Sequence, residues 1–205
     1  VTNDGNSDLQ PDWIWIKVRN GTNNHNTFDT SRGVANRLKP NTDDAEDGSS
    51  GVSVSSDGFA TGTSLGDINN TGGANNYVAW QWKANGGTAT ATGAESGNNP
   101  AYSAQANQTA GFSIITYTGT GAEGDVTHGL GGKPDWIITK NRDESSDSNW
   151  VTWHKDLVDA DADNGGYIYL NTTGQDQATS VFYEGDAISS SVVAFKGGNQ
   201  NTNKD

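Results

Sequence analysis

The sequence contains no cysteine and no methionine, and apolar residues of every kind are scarce. Without cysteine, disulfides, thiolate metal sites and cysteine nucleophiles are all excluded. Only 31% of the 205 residues are hydrophobic, which would suit a disordered chain. Seven Trp, six Tyr and five Phe argue against disorder, because each large ring buries much surface. With 27 Gly to form turns, the composition predicts an all-β protein with an aromatic core.

Basic residues are also few, and the net charge is −13. A negative field of this size repels phosphate backbones, so we expect no nucleic acid partner. It disfavours anionic membrane surfaces as well, and no apolar run approaches 18 residues, so we expect no membrane insertion. Residues 1–10 are polar and do not resemble a signal peptide.

An internal repeat organises the chain. Pro11-Asp12-Trp13-Ile14-Trp15-Ile16-Lys17-Val18-Arg19 returns 123 residues later as Pro134-Asp135-Trp136-Ile137-Ile138-Thr139-Lys140-Asn141-Arg142, with six of nine positions identical. Related segments follow each copy, at residues 27–30 and 38–42 in the first and at 152–155 and 168–172 in the second. We therefore expect equivalent strands at residues 13–19 and 136–142 in two similar folds.

Residues 84–110 separate the two copies and contain no Val, Ile, Leu, Phe or Trp. The predicted organisation is a first β-sandwich repeat at 1–87, a linker or long crossing at 88–110, and a second repeat at 111–205. Period-two alternation places Ile14, Ile16 and Val18 on one strand face and the Trp side chains on the other. Further strands are predicted at 77–83, 112–117, 150–154, 167–170 and 192–195, with turns at Asp57-Gly58, Asn85-Gly86 and Asn164-Gly165.

Several segments together resemble a module of marine bacteriophage tail and virion-surface proteins. They are residues 11–19, 25–33, 56–59, 77–84, 111–121, 127–131, 133–142 and 153–155. The resemblance implies a tandem of two jelly-roll-like (lectin-like) β-sandwiches in a tail fibre, virion appendage or capsid decoration. It implies no enzyme activity, a location on the virion surface or outside cells, and partners that are other virion proteins or copies of the chain itself.

No arrangement of residues predicts catalysis. His25, His128 and His154 lie in separate segments without the spacing of a zinc site, and no nucleophile-elbow motif occurs. The five Glu, Glu46 among them, lie in polar, loop-like stretches where carboxylates are normally solvated. We therefore predict a protein that is not an enzyme and requires no cofactor.

The acidic segment Asp159-Ala160-Asp161-Ala162-Asp163-Asn164-Gly165 is the strongest candidate metal site. Alternate Asp side chains in a tight loop can converge on one hard cation, so calcium would be held by Asp159, Asp161 and Asp163. The positions that an EF-hand gives to Gly and Glu hold Asn164 and Leu170, so this is no EF-hand. A solvated acidic hairpin tip is the favoured alternative. A second acidic run, residues 43–47, is expected to be solvated.

The aromatic side chains point to a second binding chemistry. Sugars dock on flat Trp and Tyr faces, because their C–H faces are apolar and their rims polar. Trp13, Trp80, Trp82 and Trp136 are assigned to the core. Trp15 and Trp150 are the least committed to it and are the candidate contacts for a host-surface glycan. A secreted carbohydrate-binding module or lectin is therefore the alternative to a virion structural role.

Two smaller expectations concern the repeated strands. The basic pairs Lys17/Arg19 and Lys140/Arg142 are expected to form ion pairs with Asp12 or Asp135, or to stack on Trp rings. The second copy is preceded by a strand-like segment, residues 111–121, and the first is followed by residues 77–83. The first copy is not preceded by a segment like residues 111–121, and the second is not followed by a segment like residues 77–83. This predicts an open sheet edge that a longer polypeptide or a neighbouring copy, arranged head to tail, completes.

Overall fold

The computed structural model describes residues 1–3, 8–49, 51–62, 65–70, 72–157, 166–174 and 188–204. Every regular element in these ranges is a β-strand, which confirms the all-β prediction. The strands are β1 (Trp13–Val18), β2 (Asn26–Asp29), β3 (Asn36–Arg37), β4 (Asp47–Gly48), β5 (Val52–Ser55), β6 (Gly58–Thr61), β7 (Tyr77–Trp82), β8 (Ala91–Gly93), β9 (Tyr102–Asn107), β10 (Phe112–Tyr117), β11 (Gly124–Thr127), β12 (Trp136–Thr139), β13 (Val151–His154), β14 (Tyr167–Tyr169) and β15 (Val192–Phe195).

Strand β1 is the centre of an antiparallel sheet with the order β2-β1-β7. Its alternation behaves as predicted, because Ile14, Ile16 and Val18 are buried while the residues between them are partly exposed. The predicted turn at Asp57-Gly58 joins β5 and β6. Gly58 adopts a φ of 136°, a conformation that strongly favours glycine.

The second repeat builds the same hairpin from other residues. Strands β12, β13 and β14 form an antiparallel sheet in that order. Ile137 faces Trp153 there, as Ile14 faces Phe28 between β1 and β2. Thr152 then faces Ile168, just as Thr27 forms a bridge to Leu38 in the first repeat. The order of pairing is the same in both copies, although the offset between equivalent residues grows from 123 (Ile14 to Ile137) to 125 (Phe28 to Trp153) and 130 (Leu38 to Ile168).

Matched side-chain hydrogen bonds reinforce this equivalence. Asn41 Oδ1 accepts the backbone N–H of His25 at 2.8 Å, and Asn171 Oδ1 accepts that of Trp150 at 2.9 Å. Each Asn also donates its amide to a second Asn at 2.8 Å, Asn24 in the first repeat and Asn149 in the second. The side-chain amides of Asn41 and Asn171 therefore close equivalent loops in the two repeats.

The repeated lysines close a second pair of loops, but not as predicted. Lys17 Nζ donates to the carbonyl oxygens of Val18 at 2.5 Å and Gly21 at 3.0 Å. Lys140 Nζ makes the equivalent bonds to Asn141 at 2.6 Å and Glu144 at 3.2 Å. The expected ion pairs of these lysines with Asp12 and Asp135 are wrong, because the ammonium groups are occupied by carbonyl oxygens of the following loop.

Each repeat has its own apolar core. The first core consists of Ile14, Ile16, Phe28, Val52, Phe59 and Ile68. The second consists of Val126, Val151, Trp153, Tyr167, Ile188, Val193, Ala194 and Phe195. No residue is shared between these two clusters, so the contacts that join the repeats come from other residues.

Residues 88–110 contain two strands where a linker or long crossing was expected. Strand β9 pairs with β10 along its full length, and β8 pairs with β9. Gln105 on β9 is 1% exposed and donates its amide to Thr30 Oγ1 at 2.8 Å and Ser31 Oγ at 2.7 Å. Small and polar residues suffice for strands here because backbone hydrogen bonds and a saturated buried amide hold them.

We predict that Asn171→Ala lowers the free energy of unfolding by about 1–2 kcal/mol, because it leaves the N–H of buried Trp150 without its acceptor. Asn41→Ala removes the equivalent bond at a more exposed place and should cost about half as much. Urea denaturation of both variants measures the difference. Equal losses, or a larger loss for Asn41→Ala, would contradict the assignment.

Candidate functional site

Five aromatic rings form a continuous strip across β1, β7 and β10. In spatial order they are Trp80, Trp15, Trp13, Trp82 and Phe112, and we call them the aromatic strip. Trp13 faces Trp82 and Trp15 faces Trp80 in the antiparallel register, so the four indoles share the sheet face opposite Ile14 and Ile16. Ring centroids are 4.7 Å apart for Trp13 and Trp82, and 6.2 Å apart for Trp15 and Trp80.

The two ends of the aromatic strip differ in exposure. Phe112 covers one end, with its ring centroid 6.1 Å from that of Trp13 and 6.3 Å from that of Trp82. At the other end Trp80 is 45% exposed, and Trp15 beside it is partly exposed. The open end therefore offers one broad indole surface supported from below by packed rings.

His25 fixes the tilt of Trp15. The indole Nε1 of Trp15 donates to His25 Nδ1 at 2.9 Å. Burial, and secondarily the charge of Lys17, lower the pKa of His25, so the ring is neutral at pH 7 and can accept this bond. An accepting Nδ1 places the proton of the neutral ring on Nε2.

The structure changes the assignment of the tryptophans. Trp15 belongs to the aromatic strip and stays a candidate glycan contact. Trp150 does not: it is 6% exposed and donates Nε1 to the carbonyl oxygen of Lys39 at 3.2 Å, so its surface role is wrong. Trp80 and Trp136, which were assigned to the core, are 45% and 55% exposed.

The alternation of β1 separates its aliphatic face from its aromatic face, although it says nothing of Trp80, Trp136 or Trp150. Ile and Trp alternate along the strand, and only one face can meet the small core of the repeat. The aliphatic face is the one buried, which leaves the aromatic face outward.

The metal prediction is not decided by the structure. Asp159, Asp161 and Asp163 lie outside the described residues. Within the described ranges, no three His, Asp or Glu side chains are close enough together to hold a metal ion.

In those same ranges, no helix has the length and apolar character needed to cross a bilayer.

A group of charges, buried on the side of the first repeat and partly exposed at Arg142, joins the two repeats. Glu46 accepts from Arg32 Nη1 at 2.6 Å in its own repeat, and from Arg142 Nη2 at 2.5 Å and Nε at 3.0 Å in the other. The backbone N–H of Glu46 also donates to the carbonyl oxygen of Arg142 at 2.8 Å. Asp29 pairs with Arg32 on the far side, so two carboxylates and two guanidinium groups balance. We call these four residues the charge junction.

The acidic run 43–47 is therefore not a solvated segment. Glu46 belongs to the charge junction, Asp44 pairs with Lys39 at 2.9 Å, and Asp47 pairs with Arg37 at 2.6 Å. The expectation of a purely solvated run is wrong because Lys39 and Arg37, a few residues earlier, and Arg142 of the other repeat neutralise it, while Asp44 and Asp47 stay partly exposed.

The buried carboxylates are held as hydrogen-bond acceptors. Asp12 is fully buried and accepts from Thr30 Oγ1 at 2.8 Å, from the Ala84 N–H at 2.7 Å and from the Gly86 N–H at 3.0 Å. Burial raises the pKa of Glu46, but the hydrogen bonds from Arg142 and Arg32 outweigh it and leave the pKa below its ordinary value. A general acid needs the opposite shift, so Glu46 is suited to cohesion rather than proton transfer.

The family of the chain follows from a sequence comparison. A family model described as "Domain of unknown function (DUF7483)" matches residues 4–205, and the chain belongs to that family. No curated protein and no solved structure matches the chain.

We predict that Glu46→Gln destabilises the protein by about 2 kcal/mol, because Arg32 and Arg142 lose their shared anion. Lys155→Gln is the matched control, since it removes the exposed ion pair with Asp135 and should cost less than about 1 kcal/mol. Urea denaturation at pH 7 measures both. Similar losses for the two variants would contradict a cohesive role for the charge junction.

The Glu46 carboxylate also makes the free energy of unfolding depend on pH. Its pKa in the folded protein lies below the ordinary value of 4.5, so its contribution is complete above pH 4.5 and is lost as the pH falls through the folded pKa. We expect the free energy of unfolding to drop between pH 5 and about pH 3. The drop should be smaller in Glu46→Gln, and identical curves for the two proteins would count against this assignment.

Proposed function

We propose that the chain is a non-enzymatic structural module of a virion surface, in a tail fibre, an appendage or a capsid decoration, and that its aromatic strip contacts a host-surface glycan. The two repeats are proposed to be tandem jelly-roll-like sandwiches held as one unit by the charge junction. The resemblance of both repeats to phage virion-surface modules supports the structural role. The aromatic strip is the observation that carries the contact role.

The chemistry of the aromatic strip suits a sugar. Pyranose rings present apolar C–H faces that stack on indoles, and Trp80 offers an indole that is 45% exposed and packed against Trp15. A ligand that docks there loses little conformational freedom in the protein, because cross-strand pairing and the bond from Trp15 to His25 already orient the rings.

The buried carboxylates support a role without catalysis. Asp12, Asp29 and Glu46 all accept hydrogen bonds from neighbouring protein groups. The oxygens they use in these bonds stabilise the fold.

A secreted carbohydrate-binding module is the second candidate, and the aromatic strip favours it equally. The two candidates differ in location rather than in binding chemistry. Antibodies raised against the purified chain and used for immunogold labelling of intact particles separate them. Label on the particle surface supports the virion module, whereas label confined to the particle-free supernatant supports the secreted module.

We predict that Trp80→Ala weakens glycan binding by about tenfold or more, because it removes the most exposed ring of the aromatic strip. Trp136→Ala is the matched control, since Trp136 is similarly exposed but lies on the other repeat. A glycan array identifies the ligand, and titration of both variants measures the change. An array without a ligand, or equal weakening by the two substitutions, would refute the contact role.

A further inference from the structure

A groove of about 1060 Å³ is bordered by two strand edges. Strand β10 is the last strand of the sheet β10-β9-β8, and β12 is the last strand of the sheet β12-β13-β14. Each therefore has one side without a strand partner in the described part of the chain. Both strands contribute all their residues to the lining of the groove, whose volume is at the upper end for small-molecule pockets.

The backbone of β12 directs some of its N–H and C=O groups away from β13, the strand with which it pairs in the described part of the chain. Lys155 N–H donates to the carbonyl oxygen of Asp135 at 3.0 Å, which fixes the hydrogen-bonded register of the hairpin. Because direction alternates along an antiparallel ladder, Ile137 points its N–H and C=O at β13. Trp136 and Ile138 point theirs to the other side.

The same alternation applies to β10. The N–H of Thr118 donates to the carbonyl oxygen of Ala101 at 3.1 Å, in register with the pairing of β10 and β9. Ser113 and Ile115 therefore direct their backbone groups away from β9. Two rows of backbone donors and acceptors thus lie on the unpaired sides of strands that line one groove.

The first repeat shows what covers this edge. Trp13 is equivalent to Trp136, and on the corresponding side of Trp13 lies β7, paired antiparallel with β1 over six residues. The ring of Trp82 on β7 packs 4.7 Å from the ring of Trp13. In the second repeat Trp136 is 55% exposed. The same residue in the same strand position is thus not covered by any strand of the described ranges.

The four residues of β12 include neither a proline nor a charged side chain, although Pro134 and Asp135 directly precede them. Proteins guard exposed edges with proline or with a charged side chain that points along the edge. Strand β12 contains no proline, and the ammonium of Lys140 is bound to the carbonyl oxygens of Asn141 and Glu144 and to Ser148 Oγ at 3.1 Å. The adjacent charge is therefore turned into its own loop and leaves the edge accessible.

We propose that this groove is a strand-acceptor site that binds an extended segment of another polypeptide chain. The segment pairs antiparallel with β12 and has the pattern of β7, with a large apolar side chain opposite Trp136 and another opposite Ile138. A second copy of this chain is not the donor. Its own β7 is already paired with β1 from Tyr77 to Trp82, and releasing it would unpair the first repeat.

The test uses a fluorescent peptide with the sequence of residues 77–84. We expect saturable binding by anisotropy, with slower hydrogen exchange of the Trp136 and Ile138 amides in the complex. A control peptide N-methylated at the residues equivalent to Val78 and Trp80 keeps every side chain but loses two donors to the edge. It should bind at least tenfold more weakly.

Two protein variants separate edge pairing from adhesion to exposed aromatic residues. Ile138→Pro removes the N–H that faces the groove and leaves the bonds of Ile137 and Thr139 to β13, so the fold should survive, as circular dichroism can verify. Binding should fall at least tenfold in this variant and stay unchanged in Trp80→Ala. Equal loss in both, or full binding to Ile138→Pro, overturns the proposal.

A variant with the strand sequence fused to the protein itself tests the proposal without relying on the affinity of a free peptide. Lys204 lines the groove, pairs with Glu144 at 2.6 Å and passes so close to Gly119 that no Cβ fits there. Adding the sequence of residues 77–84 after Asp205 through a short Gly-Ser linker places the strand beside the groove at about millimolar effective concentration. We expect the melting temperature to rise by about 5 °C, with protection of the Trp136 and Ile138 amides.

The remaining outcomes are decisive as well. If neither the peptide nor the linked strand protects the amides of Trp136 and Ile138, the groove is not a strand acceptor. If the unmodified protein forms dimers in which those two amides are protected without peptide, the donor is a second copy and the assignment of the partner is wrong. Size-exclusion chromatography with light scattering distinguishes these cases.

Discussion

The scarcity of aliphatic side chains is the constraint on which the rest of the structure depends. Burial of apolar surface is the main force that favours folding, and in β1 this chain supplies aliphatic side chains to only one face. In β1 that face carries Ile14 and Ile16, so the tryptophans between them are directed outward. The exposed aromatic strip is thus a consequence of how the core is filled, and it becomes available for binding without any cost to the core.

Polar interactions contribute much of the remaining stabilisation between the two repeats. The two cores share no residue, and the repeats are joined by the charge junction around Glu46, by the bond from Trp150 to Lys39 and by the packing of Phe112 against Trp13 and Trp82. Interactions of this kind are directional and need every partner in place. Together with the saturated side chains of Asp12 and Gln105, they hold the two repeats in one specific arrangement.

The comparison between repeats separates what is structural from what is variable. Both repeats contain the hairpin. Both also close one loop through an Asn amide, at Asn41 and Asn171, and another through a Lys ammonium, at Lys17 and Lys140. Among the residues that the structure describes, the strand that covers β1 has no counterpart beside β12. The shared features set the fold of each repeat, and the difference leaves Trp136 exposed at an unpaired edge.

The sequence by itself determined the all-β class, the repeat and the main strands, because alternation, turn dipeptides and a constant offset are local properties of the chain. Only the tertiary structure decided which tryptophans are exposed and which carboxylates are buried. Trp80 faces solvent and Trp150 is buried, and Glu46 is paired rather than solvated, because each depends on residues far away in sequence. Burial and ion pairing are properties of contacts, and the contacts of Glu46 reach a residue 96 positions further along the chain.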